Sequence, residues 1–307
     1  MQRSMVPAVR MAAAGLALLT AATLAGCSSS HASGRPGAAS APPPVRAPQP
    51  GTRTQAQAIA QHLLASLVFP ASATTLAGPV PASLEHDGEG PVVASQAANV
   101  HQVYRVPGGM TAVFGYLKAH VPAGLGSVGS GQTTDHGTVE SDEITGQQTS
   151  VPAGIYLAAM SETIEPGPQG SALVLADAEV IWHPARSAAE YLTASRFRRV
   201  TVTATATSGK KATVRRTLSS QAAIGAIVNL LNGLQAAPEL PPGNLLPPAT
   251  YQLDFAPALA GQPAVQVSDG GMLTERVSVG GASQPVLWDP ANSLATLAGR
   301  LAGFPAG

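Results

Sequence analysis

A cluster of cations is the group of side chains in this 307-residue sequence that is best suited to bind a ligand. Seven of them lie within 21 residues: Arg196, Arg198, Arg199, Lys210, Lys211, Arg215 and Arg216. Because arginine binds phosphate bidentately, we predict an anion-binding site at Arg198, Arg199, Lys210, Lys211, Arg215 and Arg216. The alternative is that these charges protect the edges of a hairpin from edge-to-edge association.

Carboxylates offer a second chemistry. Glu140, Asp142 and Glu143 would serve a cell-wall hydrolase if two of them met at the spacing of about 5 to 9.5 Å that glycosidases use, which the fold decides. The acidic run at His86, Asp87 and Glu89 lacks the spacing of an HExxH helix or an EF-hand loop. We therefore predict no metal site and no cofactor.

Two familiar motifs occur in the wrong context. Residues 124–129 spell the GxGxxG of dinucleotide-binding folds, but Pro122 and not a strand precedes them, so we predict a flexible loop. Residues 208–211 spell the SxxK of penicillin-binding enzymes, but the SDN and KTG motifs are missing and a hairpin turn is predicted. No catalytic residue is predicted from these motifs.

Composition excludes several classes of protein. The chain carries 17 basic and 17 acidic side chains, whereas a nucleic-acid-binding protein needs a basic surplus, so no nucleic acid is predicted as a partner. Its single cysteine excludes a disulfide framework and a thiolate zinc cluster.

The amino terminus has the layout of a secretory signal peptide. Arg3 and Arg10 precede an uncharged apolar run, residues 11–24, which is shorter than the roughly 20 residues that span a bilayer. The run ends in Leu24, Ala25, Gly26 and Cys27, which resembles the lipobox of bacterial lipoproteins. The alternative is an ordinary cleaved signal peptide with an accidental cysteine.

The resemblance implies that Cys27 takes a diacylglycerol through a thioether and that cleavage falls between Gly26 and Cys27. Two acyl chains suffice for stable anchoring, so we expect a protein held in the cell membrane through lipidated Cys27 and facing the extracytoplasmic side. Residues 1–26 are then the signal peptide. Residues 27–54, rich in Pro, Ser and Ala, are predicted to form a disordered tether.

The rest of the chain predicts an α+β fold of two small units, each mixing helices with antiparallel strands. A helix capped by Thr54 is predicted first, followed by a helix at 108–120 and strands at 155–164 and 172–182. Helices at 219–233 and 292–301 flank the strands expected in the second half. A shift of charge predicts an acidic domain over 55–190, with twelve acids and three bases, and a domain over 191–307 with nine bases and five acids.

A looser resemblance covers much of the mature chain. The stretches Leu64–Ala73 and Val103–Gly108 are similar to those of uncharacterised lipoproteins of high-GC Gram-positive bacteria, which have no assigned activity. The function expected from the sequence is that of a non-enzymatic binding or accessory protein of the cell envelope. Its partner is expected to be an envelope protein or an anionic cell-wall polymer, and the alternative function is the cell-wall hydrolase.

Overall fold

A computed structural model describes residues 47–79, 81–82, 84, 94–135, 138–206, 213–239, 249–271 and 273–302. The signal peptide, Gly26, Cys27 and most of the tether lie outside these residues, as do Lys210 and Lys211. None of the helices in the described part of the chain is long and apolar enough to cross a membrane.

The first helix begins earlier than the sequence indicates. Helix α1 spans Arg53–Ala65, and its N-cap is Thr52, whose hydroxyl accepts a hydrogen bond from the Gln55 amide. The cap is therefore two residues before the predicted Thr54. The end of the predicted tether is also in contact with the fold, because the Gly51 amide donates to the His183 carbonyl oxygen at 3.1 Å.

Six antiparallel strands form the first sheet in the spatial order β1-β2-β6-β5-β4-β3. Their bounds are β1 Thr74–Thr75, β2 Ala97–Pro107, β3 Leu125–Asp135, β4 Thr138–Gln148, β5 Ile155–Pro166 and β6 Ser171–Trp182. Helix α1 and helix α2, Met110–Ala119, pack on one face of this sheet. The flexible loop predicted at the GxGxxG motif is wrong, because residues 125–129 begin edge strand β3.

The second sheet is built from eight strands in the described residues, ordered β8-β7-β10-β11-β12-β14-β9 with β13 paired to β12. Their bounds are β7 Phe197–Ala206, β8 Thr213–Leu218, β9 Gln235–Ala236, β10 Ala249–Pro257, β11 Val265–Gly271, β12 Thr274–Val279, β13 Ala282–Ser283 and β14 Leu287–Trp288. Helix α3, Gln221–Gly233, and helix α4, Ser293–Ala302, cover one face. The side chains of Val200, Val202 and Leu253 point into this core, so the residues that alternate with them along β7 and β10 point to the opposite, outer face.

Residues 183–196 connect the two sheets and are anchored by a buried arginine. The Arg186 guanidinium donates to the carbonyl oxygens of Leu231 and Leu234 at the end of α3, both at 2.9 Å, and to the carbonyl oxygen of Glu190. Nδ1 of buried His183 donates to the Ala236 carbonyl oxygen at 2.8 Å. The bonds from Arg186 to Leu231 and Leu234 satisfy carbonyl groups that the end of α3 leaves without partners.

The architecture confirms the predicted α+β class with antiparallel sheets and helices on one face of each. The described strands of the first sheet all precede residue 183, and those of the second all follow residue 196. The described residues nevertheless belong to one compact unit. The division into domains at 55–190 and 191–307 therefore stays a prediction.

Candidate anion-binding face

The outer face of the second sheet is polar on every long strand. One row of cross-strand neighbours runs through Thr217, Thr201, Asp254, Gln266 and Ser278. The next row runs through Arg215, Thr203, Gln252, Ser268 and Arg276. Because strands alternate their side chains between faces, all ten lie on the side opposite the helices.

Two of the predicted cations border one groove on this face. Arg199 on β7 and Arg215 on β8 line it together with polar Thr201, Asp254 and Gln266, and its open volume is about 490 Å³. The rest of its lining includes the apolar residues Ala256, Pro257, Ala264 and Val265. Both arginines are exposed, whereas Thr201 between them is 8% exposed. Neither arginine forms an ion pair with the residues that the structure describes, so both guanidinium groups are available to an anion.

Among the described residues, Asp254 is the one acid that lines the groove. Its Oδ1 accepts hydrogen bonds from Nε2 of Gln252 at 2.8 Å and from Nε2 of Gln266 at 3.0 Å. The other carboxylate oxygen, Oδ2, accepts no hydrogen bond within the described part of the chain. The groove therefore presents a positioned carboxylate on β10, next to the strand that carries Arg199.

The other predicted cations do not join this groove. Arg216 is the cross-strand partner of Val202, which is buried beneath the helices, so Arg216 lies on the helix side of edge strand β8. Arg198 is exposed beside the β-bulge between β7 and β10 and does not line the groove. Lys210 and Lys211 lie outside the described residues. Exposed Arg216 at a sheet edge fits the alternative reading of edge protection.

The sequence-based interpretation missed Arg276 and Asp254, which share the outer face. Arg276 ends the row that begins at Arg215. Four strand spacings separate the two residues, which is about 19 Å at 4.8 Å per spacing. The signal was present in the alternation of residues 274–279, where Glu275 and Val277 are buried and Arg276 is exposed.

Two of the acids proposed for a hydrolase, Asp142 and Glu143, do not converge. Asp142 is buried on β4 and accepts a hydrogen bond from Nε2 of Gln132 at 2.8 Å. Glu143 is its chain neighbour on the same strand, and successive strand residues point to opposite faces. Asp142 and Glu143 therefore form no carboxylate pair, and the Glu140 side chain lies outside the described residues.

Buried carboxyl groups instead occur where the sequence-based interpretation assigned no role. Burial raises the pKa of Glu162, on the central strand β5, to about 7. Burial also raises the pKa of Asp177 on β6, against the hydrogen bond from Asn99 and the nearby His101, which lower it. Both acids lie in strands that are buried on both faces, which explains their desolvation.

A second group of acids lies beneath helix α4. Asp289 caps this helix, because its Oδ1 and Oδ2 accept from the Ser293 and Leu294 amides at 2.9 and 2.8 Å. The pKa of Glu275 is raised to about 8, chiefly by burial; a hydrogen bond with Tyr251 lowers it, and the charges of Asp289 and Asp269 contribute to the rise. The Tyr251 hydroxyl faces Glu275, although neither Oη nor Oε2 has a hydrogen bond of regular geometry.

Metal binding finds no support in these groups. Among the described residues, no three His, Cys, Asp or Glu side chains are arranged to hold a metal ion. Asp289, one of the acids near Glu275, already uses both of its carboxylate oxygens to accept hydrogen bonds from helix amides.

Comparison with known proteins adds no relative: no protein-family model, curated protein or solved structure matches the chain.

Proposed function

We propose that the protein is a lipoprotein anchored in the cell membrane through Cys27, where its arginine groove binds an anionic component of the cell envelope. The anchor rests on the signal-peptide layout and the lipobox that ends at Cys27. The protein then acts on the extracytoplasmic side, as a binding or accessory protein and not as an enzyme.

The observation that carries the binding role is the groove with Arg199 and Arg215 on its border. Both guanidinium groups lack an acidic partner within the described chain, and an arginine fork matches phosphate or carboxylate oxygens in two parallel hydrogen bonds. A groove on a solvated sheet face also allows a long partner to continue past the protein at either end.

The experiment is cross-linking in intact cells that produce an affinity-tagged protein, followed by mass spectrometry and by analysis of captured polymer. We expect Arg199→Glu combined with Arg215→Glu to abolish capture of the envelope component. The matched control is Arg53→Glu combined with Arg105→Glu, which changes net charge equally at two exposed positions outside the groove. Capture by the control and not by the groove variant supports the proposal, whereas equal capture by both refutes it.

A Cys27→Ser variant tests the anchor separately. We expect this protein to leave the membrane fraction, because the thioether cannot form without the thiol. A variant that stays in the membrane fraction and still carries acyl chains would refute lipidation at Cys27.

A further inference from the structure

We infer that the occupant of the groove is a polymer whose phosphate groups are separated by neutral, hydroxylated units, as in a polyol phosphate or a glycan phosphate chain. This inference deepens the proposed function and depends on it. It rests on three features of the outer face: its lack of apolar side chains along the two rows, the separation of its cations, and the carboxylate between them.

The polar rows disfavour an apolar occupant along the sheet face, although one part of the groove is lined by the apolar residues Ala256, Pro257, Ala264 and Val265. Between Arg215 and Arg276 lie the side chains of Thr203, Gln252 and Ser268, and the neighbouring row adds further hydroxyl, amide and carboxylate groups. Burying such groups against an acyl chain or an apolar protein surface would leave their hydrogen bonds unsatisfied. A hydroxylated chain replaces the hydrogen bonds to water that these side chains lose.

The cations lie too far apart for one phosphate. Arg215 and Arg276 end the same row about 19 Å apart, four strand spacings across the sheet. Arg199 and the row that holds Arg215 lie on opposite sides of Thr201. Arg276 lies outside the lining of the groove, so several anionic groups along one chain are needed to extend from the groove to all three arginines. Among the described residues of the two rows, the side chains between the arginines are uncharged apart from Asp254.

Asp254 selects against an unbroken run of negative charge. Its Oδ1 accepts from the amides of Gln252 and Gln266, and no described residue donates to Oδ2, which a donor of the occupant can reach. A hydroxyl group of the occupant is such a donor, and its hydrogen bond to a carboxylate is charge-assisted. A phosphate at the same place meets repulsion, so phosphates bind at the arginines and hydroxyl groups bind between them.

Calorimetry with two defined probes tests this arrangement. The purified full chain, in a non-ionic detergent at 150 mM salt, is titrated with a ten-unit poly(glycerol phosphate) and with linear polyphosphate of ten phosphates. We expect the poly(glycerol phosphate) to bind about tenfold more tightly, equivalent to 1.4 kcal/mol, although polyphosphate has the denser charge. Equal affinities, or tighter binding of polyphosphate, overturn the inference.

An Asp254→Asn variant isolates the carboxylate. Asparagine keeps an oxygen for the two glutamine amides but removes the negative charge, so we expect polyphosphate affinity to rise several-fold and the preference for poly(glycerol phosphate) to fall to about twofold. Glu165→Gln is the control, because it removes one charge from the first sheet, and its preference should equal that of the wild type. A preference that survives Asp254→Asn overturns the role of Asp254.

The outcomes separate this inference from the proposed function. If Arg199→Glu with Arg215→Glu leaves the binding of both probes unchanged, the groove is not an anion site and both proposals fail. If that variant loses both probes while the wild type prefers polyphosphate, anion binding stands and the spaced-phosphate inference fails. Tighter binding of short-chain dihexanoyl phosphatidylglycerol than of poly(glycerol phosphate) would identify a lipid headgroup as the occupant and also overturn the inference.

Discussion

Replacing Glu275 by glutamine should change how the stability of the protein depends on pH. Glu275 is 2% exposed, lies among Tyr251, Asp269 and Asp289, and has a pKa raised to about 8, chiefly by burial. The folded chain therefore holds a proton there over a pH range in which the unfolded chain releases it. Glutamine has nearly the same shape, carries no charge at any pH, and its amide can donate to a neighbouring carboxylate.

The sign and size follow from linkage between proton binding and folding. Between the ordinary pKa of 4.5 and the folded value of about 8, the folded state binds one more proton than the unfolded state at this site. Its contribution to stability is therefore fully present below pH 4.5 and is lost as pH rises towards 8, at about 1.4 kcal/mol per pH unit. The full loss is about 5 kcal/mol, of which about 3 kcal/mol has occurred by pH 7.

The assay is equilibrium unfolding in urea at half-unit steps from pH 5 to pH 9, for the wild type and for Glu275→Gln. We expect the variant to become more stable than the wild type as pH rises, with a difference that grows to pH 8 and then stays constant. Glu162→Gln is the matched control, because its folded pKa of about 7 should end the divergence one unit earlier. Parallel curves for wild type and Glu275→Gln between pH 5 and 8 would refute a protonated Glu275 in the folded state.

Three further predictions concern contacts that hold the described parts of the chain together. Arg186→Met should lower the free energy of unfolding by about 3 to 5 kcal/mol, because it leaves buried carbonyl groups at the end of α3 without hydrogen-bond donors. A loss below about 1 kcal/mol in urea unfolding would contradict this. Gly51→Ala should detach the segment before α1, because the new methyl carbon would lie 2.6 Å from Cβ of Trp182 and against the Gly154 carbonyl. The measurement is limited proteolysis, which should cut faster before residue 53. The control is Gly115→Ala in α2, which has open space around it and should stabilise the protein by about 0.5 to 1 kcal/mol. Asp289→Ala should cost about 1 to 2 kcal/mol through the lost cap of α4 at pH 5, and an unchanged urea midpoint there would show that the cap contributes nothing.

The fold was predicted best where the sequence pattern is local. Strands β5 and β6 and helix α3 were predicted within about two residues, because apolar periodicity and flanking Gly and Pro mark such elements. Strand β3 was missed because its residues are mostly Gly, Ser, Thr and Gln, which carry a weak strand signal. Its pairing with β4 supplies the backbone hydrogen bonds that its composition does not predict.

The candidate site was predicted in part, and the reason lies in strand register. Arg199 and Arg215 belong to one hairpin, so their closeness in sequence indicated closeness in space. Arg276 is distant in sequence and joins them only through four pairings between five neighbouring strands. Arg216, in contrast, is next to Arg215 in sequence but lies on the opposite face, because adjacent strand residues alternate.

The sequence by itself determined the α+β class and the surplus of cations around the β7 and β8 hairpin, because periodicity, caps and charge are properties of neighbouring residues. The lipobox at Cys27 is also read from sequence alone, and it stays a prediction. Tertiary structure alone decided which charges share a face, that Asp142 and Glu143 point apart, and that Glu162 and Glu275 are desolvated. Pairing distant strands and packing helices over them sets these properties, and no short stretch of sequence records which strand becomes the neighbour of another.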